Sequence, residues 1–307
     1  MFARNQLVGG LAFLLIAPPA GASAPDRIEL EPSSKWDIDY GPERCSLVRE
    51  LGSGNTGVHL QIDSFGGWNS FRVMLVGTVI PHLHGPTGTA QVRLTGDPED
   101  READTLQGSV GNLSAVSFNL IFAPFTVRPT GNPMSEDDMT RLALEQSRGA
   151  PDFDATVDSL AVSPTRTRTL VLKLGNMARP LAAMRTCVDD MFKTWGGDPA
   201  VQKSLTRAAR PVIRTVWKVQ GDYPAAMLLR GTSAYVPVRV SVDGVGNPSK
   251  CVVQIEGVDK AFKDSVCDDI MHKFEPALDK DGKPVATIVS TSVLYLVDNS
   301  KPERNVD

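Results

Sequence analysis

The chain has 307 residues, 41% of them hydrophobic and 22% charged, with a formal net charge of −4. That length accommodates two domains with separate cores, and the composition is ordinary for a soluble globular protein. The acidic balance and the scatter of the basic residues exclude a nucleic-acid footprint.

The first 22 residues read as a secretory signal. Arg4 supplies the positive start, Leu7 to Ala17 a short apolar run, and small residues follow, with cleavage expected after Ala22. Spanning a bilayer takes about 20 apolar residues, so no membrane span is expected once the signal is removed. An uncleaved N-terminal anchor is the alternative. Export makes the predicted location periplasmic, where the four cysteines, Cys45, Cys187, Cys251 and Cys267, should pair as disulfides. Three connectivities are open, and no C-x-x-C spacing suggests a zinc or redox site.

Residues 25–196 are predicted to form a β-rich domain. Trp36 to Tyr40 and Cys45 to Leu51 alternate apolar and polar residues on either side of Gly41-Pro42, the pattern of a hairpin. Val58 to Phe65 and Phe71 to Ile80 form a second pair, and strand-like runs follow at 90–94, 115–122, 155–162 and 169–174. Such spacing predicts an antiparallel sandwich or a strongly curved sheet. From Arg179 the period changes: Leu181, Met184, Val188, Met191 and Trp195 form the apolar stripe of an amphipathic helix, stopped by Gly196-Gly197. A bond from Cys187, beside that stripe, to Cys45 would staple this closing helix onto the first hairpin.

Residues 197–217 read as a linker. It opens with an N-cap pair, Asp198-Pro199, and ends in a basic, proline-broken stretch. Residues 218–300 form the second domain. A short helix follows Tyr223-Pro224. Val236, Val238, Val240 and Val242 then alternate along a strand, the turn at 244–248 returns the chain, and Phe262, Val266, Ile270 and Phe274 mark a second helix. A β-branched strand runs from Ala286 to Val297. One face of this sheet is predicted to lie under the helices and the other to be exposed.

The order of YP, the valine-alternating strand, the VDGVG turn and a helix closing in FEPALDKDGKPV resembles the TonB C-terminal domain family over the last quarter of the chain. The expected architecture is α+β: an N-terminal antiparallel β domain closed by its helix, read from the periodicity, then a module of three antiparallel strands and two helices, which the resemblance also implies. The resemblance further implies a Cys251–Cys267 bond between second strand and second helix. Partner capture would occur by strand addition on the last strand, about Thr287, Val289, Thr291, Val293 and Tyr295. The implied partner is an envelope protein such as an outer-membrane receptor, with a homodimer through the edge strand as a second candidate.

His82 and His84, two apart in PHLHGP, are a candidate metal pair with His59 as a third ligand. DKDGK at 279–283 reads as a turn, since the twelfth position of a calcium loop falls on Ser290. No hydrolase, P-loop or dinucleotide motif is present and no cofactor is expected. The expected function is non-enzymatic binding of an envelope protein. The competing expectations are an energy transducer for outer-membrane transport anchored by its N-terminus, and a metal-binding envelope enzyme.

Overall fold

The computed structural model describes residues 26–81, 87–124, 144, 148–165, 168–212 and 223–297. The predicted signal segment, and the His82–His84 pair, lie outside these residues.

The N-terminal half is built on one ten-stranded sheet. Its strands are β1 (Asp26–Leu30), β2 (Asp37–Tyr40), β3 (Cys45–Leu51), β4 (Val58–Ser64), β5 (Ser70–Gly77), β6 (Thr87–Leu94), β7 (Arg101–Val110), β8 (Leu113–Ile121), β9 (Ser159–Thr165) and β10 (Arg168–Lys173). They lie in the order β1-β10-β9-β6-β7-β8-β5-β4-β3-β2, antiparallel throughout except for β1 beside β10. The sheet curls until the chain leaving β1 meets β3: Pro32 bridges Leu51, and the Gly52 amide donates to the Glu31 carbonyl. Residues 26–40 thus serve both ends of the curl.

The periodicity of the inner face follows the pleat. Leu47 and Leu51, Leu60 and Ile62, Val73 and Leu75, and Val116 and Phe118 all point into one core. Two strands escaped the sequence reading. β1 is five residues with three charges, and β7 alternates outward Glu102 and Asp104 with buried Ala103 and Thr105. The run at 155–162 divides differently from the expected strand: a short helix, α1 (Pro151–Asp154), and a turn precede β9.

Helix α2 (Ala178–Thr194) closes the domain. Leu181, Met184, Val188 and Met191 enter the sheet's core, and Cys187 is bonded to Cys45. Asn176 accepts from the Ala178 amide at its start, and Gly196 at φ +87° ends it, with the Gly197 amide returning to the Phe192 carbonyl. Arg185 on α2 donates to Asp154, to the Asn69 side chain at 2.6 Å and to the Trp68 carbonyl at 3.0 Å.

The second half has its own core. Helix α3 (Pro199–Ser204) is capped by Asp198, whose carboxylate accepts from the Ala200 amide. Beyond it, β11 (Arg210–Pro211), α4 (Ala225–Leu229), β12 (Ala234–Val242), β13 (Pro248–Val253), α5 (Lys260–Ile270), β14 (Phe274–Glu275), β15 (Ala277–Leu278), β16 (Pro284–Val285) and β17 (Thr287–Tyr295) complete the chain. The main sheet runs β13-β12-β17. Val236, Val238, Val240 and Val242 meet Phe262, Val266 and Ile270 of α5, and Cys251 is bonded to Cys267. Tyr223, Phe262 and Tyr295 form an aromatic triangle with centroids 4.8 to 5.8 Å apart. The stretch read as a linker contributes to this core: Leu205 and Ala209 are buried in it, and β11 pairs with β14. The described arginines of its basic run, Arg207 and Arg210, both reach Glu275.

The sheet face expected to be exposed is covered by the N-terminal domain. Arg239 is only 4% exposed and makes a bidentate pair with Glu43, both distances 2.7 Å. Its guanidinium lies 4.7 Å from the Trp195 ring, and Trp195 Nε1 donates to the Pro42 carbonyl. Gln254 donates to the carbonyls of Glu43 and Phe65, and Tyr235 packs on Phe65 and under Arg72. Polar residues in the alternation therefore marked a domain contact rather than a solvated face. Gly66, at φ +112°, sits in the tightest part of the contact. A β-carbon there would lie 2.5 Å from Ser290 Oγ and 3.1 Å from Trp195.

Beside Tyr235 a polar row crosses four strands: Ser46, Asp63, Arg72 and Asn119 face one another in register. Asp63 accepts from Ser46 at 2.5 Å and from Gln61 at 2.8 Å. Burial raises its pKa above the usual carboxylate value, opposed by the bonds from Ser46 and Gln61 and by the charges of Arg44 and Arg72. Burial likewise pushes Arg72 down to about 10 and raises Tyr235. A carboxyl whose folded pKa is raised holds its proton more tightly in the folded chain. Its contribution is fully present below the unfolded value of about 3.9 and is lost as pH rises through the folded one. The stability of Asp63→Asn relative to the parent should therefore increase from pH 4 to pH 7. Urea midpoints of both proteins across that range test this, and a pH-independent difference would contradict it.

Candidate functional site

The three-stranded sheet ends in β17, and which of its groups face outward follows from one hydrogen bond. The Gln254 amide donates to the Pro237 carbonyl, so the backbone of Pro237 is directed toward β13. The missing N–H of this proline therefore faces the end of the β13 ladder rather than β17. Backbone groups alternate along a strand, so Val236, Val238 and Val240 bond to β17, opposite Val293, Thr291 and Val289. The intervening pair, Pro237 with Ser292, is non-bonded, and the Ser292 amide and carbonyl point away from the sheet. Ile288, Ser290 and Leu294 share that parity.

The outward carbonyl of Ile288 is taken by Gln202 of α3 at 3.3 Å, which agrees with the parity and closes that end of the edge. Thr287 donates to the same Gln202 side chain. Among the described residues no hydrogen bond reaches the outward backbone groups of Ser290, Ser292 or Leu294. Where α3 meets the ends of β12 and β17 lies a cavity of about 480 Å³, lined in part by Trp195, Val201, Gln202 and Asp243.

The residues named from sequence for this edge therefore have a different position from the one expected. Side chains of Val289, Thr291 and Val293 face the helices and are partly buried. Thr287 is tied to α3, and Tyr295, 1% exposed, belongs to the core. Their backbone groups are committed to β12. The groups without a partner among the described residues belong to the even-numbered positions, which the place of Pro237 in the ladder reveals. Proline at Val289 or Val293 would break the sheet, whereas proline at Ser292 leaves the β12 ladder intact and removes an outward N–H together with the bond between the serine hydroxyl and Tyr235.

The ends of the two larger sheets differ in how they are guarded. Natural edges are blunted with charge, proline or cover. β1 carries Asp26, Arg27 and Glu29, β2 carries Asp37 and Asp39, and β13 carries Pro248 and Lys250. β17, TIVSTSVLY, has nine residues with no charge, proline or glycine.

The other candidates contribute less. His59 is on β4, its Nδ1 2.6 Å from Glu50 in an exposed cross-strand pair. Among the described residues no group of three or more His, Cys, Asp or Glu side chains is placed to hold a metal. Asp279 accepts from the amides of Asp281 and Lys283, closing a turn. No helix among the described residues is long and apolar enough to cross a membrane. Comparison with protein-family models, with curated proteins and with solved structures finds no match.

Proposed function

We propose that this protein is exported to the periplasm and acts by binding, its C-terminal module capturing an envelope protein by strand addition to β17. The observation that carries this reading is the unguarded strand with a row of outward backbone groups at Ser290, Ser292 and Leu294. An extended segment laid there would gain main-chain hydrogen bonds, and side-chain pockets would set its specificity. The cavity at the Ile288 end offers one such seat. Two disulfides support an oxidising compartment. The helix–hairpin–helix–strand order of the module supports the TonB-like reading. The N-terminal domain, packed on the back of the same sheet, holds the edge rigid, so little ordering entropy is lost when a strand adds.

Ser292→Pro tests it. Proline is tolerated on an edge with its nitrogen outward, so the variant should stay folded and unfold at the temperature of Ser292→Ala, the control for the hydroxyl's bond to Tyr235, while it alone loses the crosslinked partner in a native-envelope pull-down. Undiminished capture by a folded Ser292→Pro protein would sink the reading.

A further inference from the structure

We infer that the cavity at the Ile288 end of β17 is a specificity pocket for one lysine or arginine side chain of the captured segment. This rests on the reading of β17 as a strand-accepting edge and adds what the segment must carry. Both halves of the chain wall the cavity, which holds about 480 Å³: Trp195 comes from the end of α2, Gln202 from α3, and Val242 and Ile288 from the second sheet. Its floor is apolar, with Val242 and Ile288 2% and 5% exposed and Trp195 half-buried. Its rim carries Asp198 and Asp243, both exposed, and these are the only charged residues among those described that line it.

No cation of the chain fills this rim. Asp198 uses Oδ1 to cap α3, accepting from the Ala200 and Val201 amides, and its Oδ2 has no partner among the described residues. Asp243 accepts from the amides of Val245 and Asn247, and the bond from Asn247 holds its carboxyl below the usual range, so it is charged at neutral pH. Lys273 neighbours that turn but donates to the Val245 carbonyl and the Asn247 side chain, outside the cavity wall. Lys203 of α3 is turned to Asp189, and Arg239, stacked on Trp195, is matched by Glu43.

An apolar floor under a negative rim suits a side chain with a methylene stem and a terminal cation. The stem covers Trp195, Val242 and Ile288 while the head stays hydrated among the carboxylates. A glutamate would meet like charge, and a leucine would cover the floor but leave the rim unused. The end of the ladder sets the position. Ser290, Ser292 and Leu294 offer backbone groups, whereas Gln202 already takes the Ile288 carbonyl. A captured strand therefore ends its pairing at Ser290, and its next residue, free of the ladder, lies at the mouth of the cavity. The basic residue belongs at one end of the segment rather than in its middle.

Selection of short random peptides, displayed on phage and panned on the full chain, tests this. The selected peptides should share a lysine or arginine at one fixed end position. Replacing it by leucine in a synthetic peptide should weaken binding roughly fivefold at low salt, and less at high salt, because the rim is exposed. The double variant Asp198→Asn with Asp243→Asn removes both charges, while asparagine still caps α3 and can accept in the turn. It should bind the lysine and leucine peptides equally. Selected peptides without a basic end residue, or a preference that survives in the double variant, overturn the inference. If such peptides still require the edge, being lost with Ser292→Pro, the pocket is wrong and the strand-accepting edge stands. If Ser292→Pro selects the same peptides as the parent, or the parent selects none, both are wrong.

Discussion

Replacing Cys45 and Cys187 together by alanine should lower stability by about 5 kcal/mol, the largest loss from any covalent change in the molecule. The two cysteines are 142 residues apart in sequence, so the bond closes most of the N-terminal domain into one loop. Cutting it releases the entropy of that loop in the unfolded chain, a term that grows with the logarithm of loop length. By the same reasoning the Cys251–Cys267 bond, with a separation of 16, is worth about 3 kcal/mol. Both sulfurs of the long bridge are buried in the first core, where they fix α2 against β3. Domains are commonly stable by about 5–15 kcal/mol, so the variant should approach the threshold of folding. Denaturant titration of the double alanine variant measures the loss. A cost under about 2 kcal/mol would mean that packing alone holds the helix and that the chain-entropy account fails here.

Glu43→Ala should cost about 3 kcal/mol and uncouple the two halves, the low end of the range for breaking a buried pair because Glu43 itself is partly exposed. The remaining Arg239 has a side chain 5% exposed and stacked on Trp195, with Nη1 already without a partner among the described residues. Without the carboxylate a buried guanidinium stays charged in a poorly solvated contact. Replacing both residues, as Glu43→Gln with Arg239→Met, should recover much of the loss, since neither charge is then buried alone. Calorimetry should resolve one cooperative transition in the parent and two in Glu43→Ala, because each half has a separate core. A single unshifted transition in Glu43→Ala would mean that the contact contributes little. Gly66→Ala offers an independent probe, since its β-carbon would force Ser290 and Trp195 apart.

Much of the local structure was legible because period and punctuation are local signals. The stripe from Leu181 to Met191 places α2, Asp198-Pro199 places the start of α3, and the four alternating valines place β12. Strands without that contrast were missed: β1 is short and charged, and the outward acids of β7 mask its two buried positions. Arg239 shows the same gap in the second sheet. Its place in the alternation assigns it a face but not what covers that face, and Glu43, its partner, is 196 residues away in sequence.

The candidate site follows the same division. The composition of β17 is a property of the sequence alone, fixed before any folding. So are the cysteine count and the helix and strand periods, since each depends on residues a few positions apart. Both disulfides form as expected, Cys45–Cys187 and Cys251–Cys267. Two features needed the tertiary structure: which sheet face is covered, and which backbone groups of β17 are left without a partner among the described residues. Each depends on contacts between segments distant in sequence, and the last depends on one ladder bond from Gln254 to Pro237 that sets the parity of the sheet. A one-residue slip in that ladder would turn the open row inward, and no local pattern encodes it.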